Sequence, residues 1–280
     1  MLGKLIRHEF RATGRIMLPV MGALLALALL ANLSIRGLTS GLSDVPLLRI
    51  LFILITVFFG IAIVAAVVMT VVLMVSRFYR NLLRNEGYLM FTLPVSAHAL
   101  VWSKLIVSLV WFLLTALLIF LVMSLTALNL SNTNLEMIIA ELPSWKEITR
   151  FLYETGIRNE VFTLMYQAII GTLLGTLVAC LHFYAAMSLG HMFSKDRILL
   201  SILFFIGISF VFNLMSTACG FAGFGMSDLA ERLESSENES LELLRQVIAI
   251  VWYGIATGAV QGGILYLATI LGLKRGLNLE

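Results

Sequence analysis

The chain has 280 residues, of which 60% are apolar and 12% are charged, and its mean hydropathy is +0.99. Soluble domains carry about 25% charged residues, so this composition excludes an ordinary soluble domain and predicts an all-α polytopic membrane protein. The net charge of +3 gives no reason to expect a nucleic-acid partner. The two cysteines, Cys180 and Cys219, lie within apolar runs and imply neither a disulfide framework nor a metal site.

Residues 1–15 precede the first apolar run and have the pattern of an amphipathic helix lying in the membrane interface. One side of such a helix is apolar (Leu2, Leu5, Ile6, Phe10), and basic residues occupy the rest of its surface (Lys4, Arg7, His8, Arg11, Arg15). The apolar run that follows is too long for a cleavable signal peptide. We therefore expect an uncleaved first span near 16–34.

Five further apolar runs follow, near 47–75, 99–128, 161–191, 198–222 and 246–273. Each exceeds the roughly 20 residues that a helix needs to cross the hydrocarbon core. They do not alternate polar and apolar residues, as the strands of a membrane barrel would. The sequence therefore predicts a single transmembrane domain over 1–280, with six helical spans and with both termini on one side of the membrane.

The charge distribution decides which side that is. The side that holds both termini carries 12 of the 19 basic residues and a net charge of +8, whereas the other side has a net charge of −5. Cytoplasmic segments carry the excess of lysine and arginine. Both termini are therefore predicted to be cytoplasmic.

This orientation predicts a labelling pattern for single cysteines. Cysteines replacing Ser40, Ser144 and Ser236 should react with a membrane-impermeant thiol reagent added outside intact cells. Cysteines replacing Ser96 and Ser194 should react only after the membrane is opened. Labelling of the cysteine at position 96 from outside would reverse the predicted orientation.

Residues 76–98 form the longest interruption between apolar runs on the predicted cytoplasmic side, and we call them the coupling segment. As a helix they place Arg77, Arg80 and Arg84 on one face, with Asn81 beside them. The opposite face is apolar (Phe78, Leu82, Leu83, Leu89, Met90), with Glu86 in its middle and Gly87 next. The pattern predicts a short amphipathic hairpin that offers a basic edge to a partner. The alternative is a positively charged anchor that only fixes topology.

Glycines recur at four-residue spacing within two spans. The last span contains Gly254, Gly258 and Gly262, and the fourth contains Gly171 and Gly175. This spacing lets helix backbones approach closely, so we predict that these glycines form helix-packing faces. A substrate-lining surface is the alternative.

The sequence contains no recognisable catalytic or metal-binding set. His182 and His191 are nine residues apart and so lie on opposite faces of a helix. We therefore expect His182 to hydrogen-bond to a neighbouring helix. The acidic outer segments, 129–160 and 223–245, lack EF-hand spacing and favour solvated surface helices over a cation site. No phosphate-binding G-x-x-x-x-G-K-[ST] motif occurs, so the chain has no ATPase of that type.

Two stretches carry a family resemblance. The opening KLIRHEFRATGRIMLP and the segment RFYRNLLRNEGYLMFTLPVSAHALVWSKL resemble permease subunits of ABC transporters of the ABC-2 (type V exporter-like) class, especially those of Gram-positive bacteria. Within the second stretch the family pattern corresponds to Glu86-Gly87, Pro94-Val95-Ser96 and Lys104. The turn SLGHMFSKDRI between spans four and five is also similar to the family's.

The resemblance implies a multi-pass permease subunit of a bacterial cytoplasmic membrane that pairs with a second permease chain, identical or not. A separate ATP-binding subunit would bind ATP and magnesium, so that no cofactor is expected in this chain. The resemblance implies that residues near both stretches contact that subunit: Arg7, His8, Arg80, Asn81, Arg84, Glu86, Gly87 and Tyr88. Two alternatives are a polytopic membrane enzyme acting on lipid or peptide, and a scaffold or sensor subunit that transports nothing.

Overall fold

A computed structural model of the chain describes residues 2–39, 44–83, 95–130, 143–154, 156–193, 196–223 and 239–275. The helices are α1 (Leu2–Thr39), α2 (Pro46–Phe78), which a π-helical turn (Tyr79–Leu83) extends, α3 (Ala97–Leu130), α4 (Trp145–Glu154), α5 (Arg158–Gly190), α6 (Arg197–Gly223) and α7 (Glu239–Arg275). The described ranges contain no strand. Six of these helices, all except α4, are long and apolar enough to cross a membrane, which confirms the predicted fold class.

Residues 2–15 and the first span belong to one continuous helix rather than to a surface helix followed by a span. Helix α1 has 38 residues and continues through Pro19, although the proline nitrogen donates no hydrogen bond to the carbonyl of Arg15 and its ring crowds that carbonyl. Such a helix is about 57 Å long, nearly twice the roughly 30 Å of the hydrocarbon core. Its first turns therefore extend beyond the bilayer.

The chain divides into two compact units, whereas the sequence suggests one domain. Unit 1 comprises Met1–Arg77 and Trp102–Leu142, and unit 2 comprises Phe78–Val101 and Pro143–Glu280. The boundary falls at the π-helical turn after α2 and again one turn into α3. The two described ends of the coupling segment beyond Arg77 thus belong to unit 2.

The core of unit 1 lies between α1, α2 and α3. One apolar cluster contains Leu24, Ala28, Ala31, Phe59, Ala66 and Val122. A second contains Met17, Leu73, Val107 and Trp111, with Ile6, Phe10 and Met21 packed against it. Between α2 and α3 the hydroxyls of Thr70 and Thr115 are hydrogen-bonded at 3.2 Å. The second cluster joins the first turns of α1 to both other helices.

In unit 2, α5 and α7 pack side by side and run in the same direction. At four positions a Cβ placed on a glycine of one helix would contact the other helix, and in each case residue i of α5 meets residue i + 84 of α7. The four pairs are Gly171 with Ile255, Leu174 with Gly258, Val178 with Gly262, and Ser188 with Gly272. This constant register shows that the two helices stay in contact along most of their length. Helix α6 packs against α5 at Gly190 and Ser201.

The structure places some of the glycines predicted to form packing faces at a contact between helices, and others away from any described contact. Added Cβ atoms at Gly258 and Gly262 would lie 3.6 Å from Leu174 and 3.2 Å from Val178, and one at Gly171 would lie 3.9 Å from Ile255. Cβ atoms at Gly175 and Gly254 would have no described neighbour within 4 Å. Of the predicted glycines, Gly262 therefore lies where the helices approach too closely for an ordinary Cβ contact. An added Cβ at Gly272, which was not predicted, would lie closer still, 2.8 Å from the Ser188 hydroxyl.

Helix α4 lies within the predicted acidic outer segment 129–160. The carboxylate of Glu147 accepts the backbone N–H of Ser144 at 2.6 Å, and the Glu147 N–H donates to the Ser144 hydroxyl at 3.4 Å. This capping box satisfies two donors at the start of the helix. The hydrogen bond from the Ser144 backbone lowers the pKa of Glu147 below its ordinary value.

Candidate functional site

A buried ion pair joins α1 to α3 at the predicted cytoplasmic end of unit 1. The ammonium of Lys104 donates to Oε1 of Glu9, and the two side chains are only 3% and 5% exposed. Glu9 lies on the inward side of α1, and Lys104 lies two turns into α3. Each charge depends on the other, because an unpaired charge at such a position carries a large desolvation penalty.

The groups around this pair connect α1 to both neighbouring helices. The Thr13 hydroxyl donates to the carbonyl of Glu9 at 2.8 Å and accepts the indole N–H of Trp111, also at 2.8 Å. At the residue before Thr13, the carbonyl of Ala12 accepts a hydrogen bond from Nη2 of Arg77 at 3.0 Å. The first four turns of α1 are therefore held to α2 and α3 by polar as well as apolar contacts.

The opposite side of the same turns is basic and exposed. The exposed residues are Lys4, Arg7, His8, Arg11 and Arg15. Arg7 and His8 directly precede Glu9 in the chain but project away from the buried pair, because successive helical residues are about 100° apart. We call these five residues the basic face of α1. One side of α1 therefore packs against α2 and α3, and the basic face on the other side is exposed and can contact a partner.

In unit 2, aromatic contacts hold the start of the coupling segment. The ring of Phe78 stacks on that of Tyr184, with a centroid distance of 4.0 Å and an interplanar angle of 10°. The ring of Tyr79 meets His191 edge-on at 5.3 Å. Both partners lie at the predicted cytoplasmic end of α5, so the π-helical turn is fixed to that helix.

The end of the coupling segment is held in the same unit. His98, in the first turn of α3, shares a hydrogen bond of 2.6 Å with the hydroxyl of Tyr266 in α7. His191 is 7% exposed, and burial, together with a smaller effect of the positive charge of Arg197, lowers its pKa. Its imidazole is therefore neutral at neutral pH and adds no charge to this region.

The structure describes three of the residues assigned to the coupling segment's basic edge, and they differ. Arg80 is exposed, whereas Arg77 is half-buried and donates to the carbonyl of Ala12, and Asn81 is only 6% exposed. Asn81 follows half-buried Arg77 by one helical turn, so the buried side of this segment includes part of the predicted basic edge. Arg84, Glu86, Gly87 and Tyr88 lie outside the described residues.

The polar groups within the spans form contacts between helices. Nε2 of His182 in α5 is 2.9 Å from the hydroxyl of Ser209 in α6, which agrees with the contact expected for His182. The Gln261 side chain donates to the Ser216 hydroxyl at 2.9 Å. Among the described residues, no three His, Cys, Asp or Glu side chains are grouped so that they could hold a metal.

No family model, curated protein or solved structure matches this chain. Its membership of the ABC-2 permeases is accordingly a proposal that depends on the motifs quoted above.

The Glu9–Lys104 pair was not predicted from the sequence, although two signals for it are present. In a helix, Glu9 falls on the same side as Ile6, Thr13 and Met17. It is therefore a single carboxylate on the face of α1 that points into the unit. Lys104 interrupts an apolar run rather than preceding it. An opposite charge on each of two apolar helix faces indicates a buried pair.

Proposed function

We propose that the chain is the membrane-spanning permease subunit of an ATP-driven ABC exporter. A separate subunit would bind and hydrolyse ATP with magnesium, and a second permease chain, identical or different, would complete the pathway through a bacterial cytoplasmic membrane. The six apolar helices provide the spanning part of such a machine. The further requirement is a route by which movement of a soluble partner reaches these helices.

The observation that carries the proposal is the construction of the first turns of α1. Their basic face offers a docking surface, and the buried pair between Glu9 and Lys104 joins the opposite surface to α3. Because α1 is continuous from Leu2 to Thr39, a displacement of its first turns is transmitted to its spanning part. A surface anchor that only fixed topology would need neither the pair nor the continuous helix.

The coupling segment supports the proposal from unit 2. Its first described turn contacts Tyr184 of α5 and His191, which caps that helix, and its last contacts Tyr266 of α7. Movement of Arg80 would therefore act on two spanning helices. The basic edge also suits an acidic partner surface, since complementary charge steers association.

Co-purification of the ATP-binding subunit with variants of this chain tests whether the basic edge of the coupling segment is its docking surface. Changing Arg80 and Arg84 together to alanine should weaken co-purification of the partner ATP-binding subunit at low salt, and the difference from the parent should shrink as salt is raised, because exposed charge pairs are screened. The control is the matching double change of Lys146 and Arg150 in α4, on the predicted outer side. Equal co-purification of the two double variants at every salt concentration would show that the ATPase does not dock at this edge.

Coupling is tested at Glu86. Glu86→Gln keeps the side chain's shape but removes its charge, so the complex should assemble while ATP hydrolysis no longer drives transport. Reconstituted vesicles allow both rates to be measured on one preparation. A variant that retains the parental ratio of transport to hydrolysis would exclude a coupling role for this carboxylate.

A further inference from the structure

Helix α4 is amphipathic, and its apolar side is partly exposed. Ile148, Phe151 and Leu152 are spaced three and four residues apart and so share one side of the helix. Phe151 is 60% exposed, and Ile148 and Leu152 are half-buried. Within the described part of the chain, the apolar side of α4 is therefore only partly covered.

The opposite side of α4 carries its charged residues, which balance one another. Nε of Arg150 donates to Oε1 of Glu154 at 2.7 Å, and both side chains are exposed. The carboxylate of Glu147 accepts the backbone N–H of Ser144 in the capping box. With Lys146, the helix has two basic and two acidic residues and so no net charge. This side suits water and needs no charged partner.

The position of α4 in the chain limits what can cover its apolar side. It ends at Glu154, and α5 begins at Arg158, so these two residues are at most about 14 Å apart even with the connection fully extended. Because α5 is long and apolar enough to cross a membrane, α4 must lie close to the bilayer surface. Its ten residues form a helix about 15 Å long, which is too short to cross the hydrocarbon core.

The first turns of α5 have the features of a membrane–water boundary. Arg158, Asn159 and Glu160 are polar, and the guanidinium of Arg158 lies over the ring of Phe162, 5.8 Å from its centroid. Tyr166, one turn further along, is 64% exposed. Tyrosine is enriched at the headgroup level of a membrane, and long basic side chains near the end of a span extend to that level. The boundary therefore lies at the end of α5 to which α4 is joined.

We propose that α4 lies flat in the headgroup region on the predicted outer side, with Ile148, Phe151 and Leu152 inserted among the upper acyl chains. Its partner is phospholipid, and because the helix has no net charge, an anionic headgroup is not required. The acidic composition of residues 129–160 favours a helix surrounded by water, whereas the proposal places only the charged side of α4 in water. Since three residues separate α4 from α5, this contact fixes the depth of that end of α5 in the bilayer. The inference does not depend on the proposed transport function.

Fluorescent probes on the two sides of α4 test this placement in the full-length chain. Phe151→Cys and Lys146→Cys are made separately in a Cys180→Ala/Cys219→Ala background, labelled with nitrobenzoxadiazole and reconstituted into phosphatidylcholine vesicles. Emission from the label at position 151 should be shifted to the blue and quenched by lipids that carry a nitroxide near the headgroup end of the acyl chain. The matched control at position 146 should emit as in water and be quenched by iodide present on both sides of the membrane. Both native side chains are exposed, so neither label has to displace a packed neighbour.

Ile148→Cys places a second probe on the apolar side and should behave like Phe151→Cys. The blue shift at both positions should persist when phosphatidylglycerol is included and when salt is raised, because the contact is apolar. Helical content and monodispersity of each labelled chain identify any variant that fails to fold. Three results would overturn the proposal. These are quenching by iodide at position 151 as strong as at position 146, quenching by neither reagent, which would mean that protein rather than lipid covers this side, and a blue shift that requires anionic lipid.

Discussion

Replacing Lys104 with methionine is expected to destabilise the folded chain by about 3–5 kcal/mol, because the Glu9 carboxylate would stay buried without its partner. The side chain of Lys104 is 3% exposed, so water cannot substitute for the ammonium without opening the contact between α1 and α3. Glu9→Gln should destabilise the chain for the same reason, since it removes the carboxylate whose charge balances the buried Lys104 ammonium. Thermal unfolding of the purified chain, followed by loss of monodisperse protein in detergent, measures the effect.

The double variant Glu9→Gln/Lys104→Met provides the decisive comparison. Removing both charges removes the desolvation penalty of both, so the double variant should be more stable than either single variant. The matched control is Arg150→Met, which breaks the exposed pair of Arg150 and Glu154 and should change stability little. Additive losses in the double variant would show that the two residues act independently and that the pair is not the connection between α1 and α3.

Gly190→Ala is expected to give the second large effect, at the contact between α5 and α6. An added Cβ would lie 2.6 Å from the backbone nitrogen of Ser201 and 2.7 Å from its Cα. Backbone atoms cannot rotate away as a side chain does, so the helices must separate, at a cost of about 3 kcal/mol. The variant should unfold at a lower temperature and accumulate less in the membrane.

Gly207→Ala is the matched control, because a Cβ there has no described neighbour within 4 Å. Alanine is the better helix former by about 1 kcal/mol, so this variant should be at least as stable as the parent. A Gly190→Ala chain as stable as the Gly207→Ala chain would mean that α5 and α6 do not approach as closely as the structure has them.

The candidate site was predicted in part. The basic residues of α1 and Arg80 were expected to be exposed, and they are, because amphipathic spacing separates the two sides of a helix directly. Asn81 was placed with them because amphipathic spacing puts it beside Arg80, but it is buried in the structure. The spacing of residues in the sequence does not indicate which part of a polar face neighbouring elements cover.

The six spanning helices followed from composition and run length alone, because a membrane requires each spanning segment to satisfy its own backbone hydrogen bonds. The partners of those helices did not follow from the same information. Glu9 and Lys104 are 95 residues apart in the chain, and the sequence around each residue does not identify the other as its partner. The same is true of Gln167 and Ile248, whose contact depends on the parallel register of α5 and α7. Local periodicity shows which face of a helix is apolar. It does not show which helix packs against that face, because the apolar faces of the six helices are alike in composition. Only the tertiary structure decides which helices are neighbours.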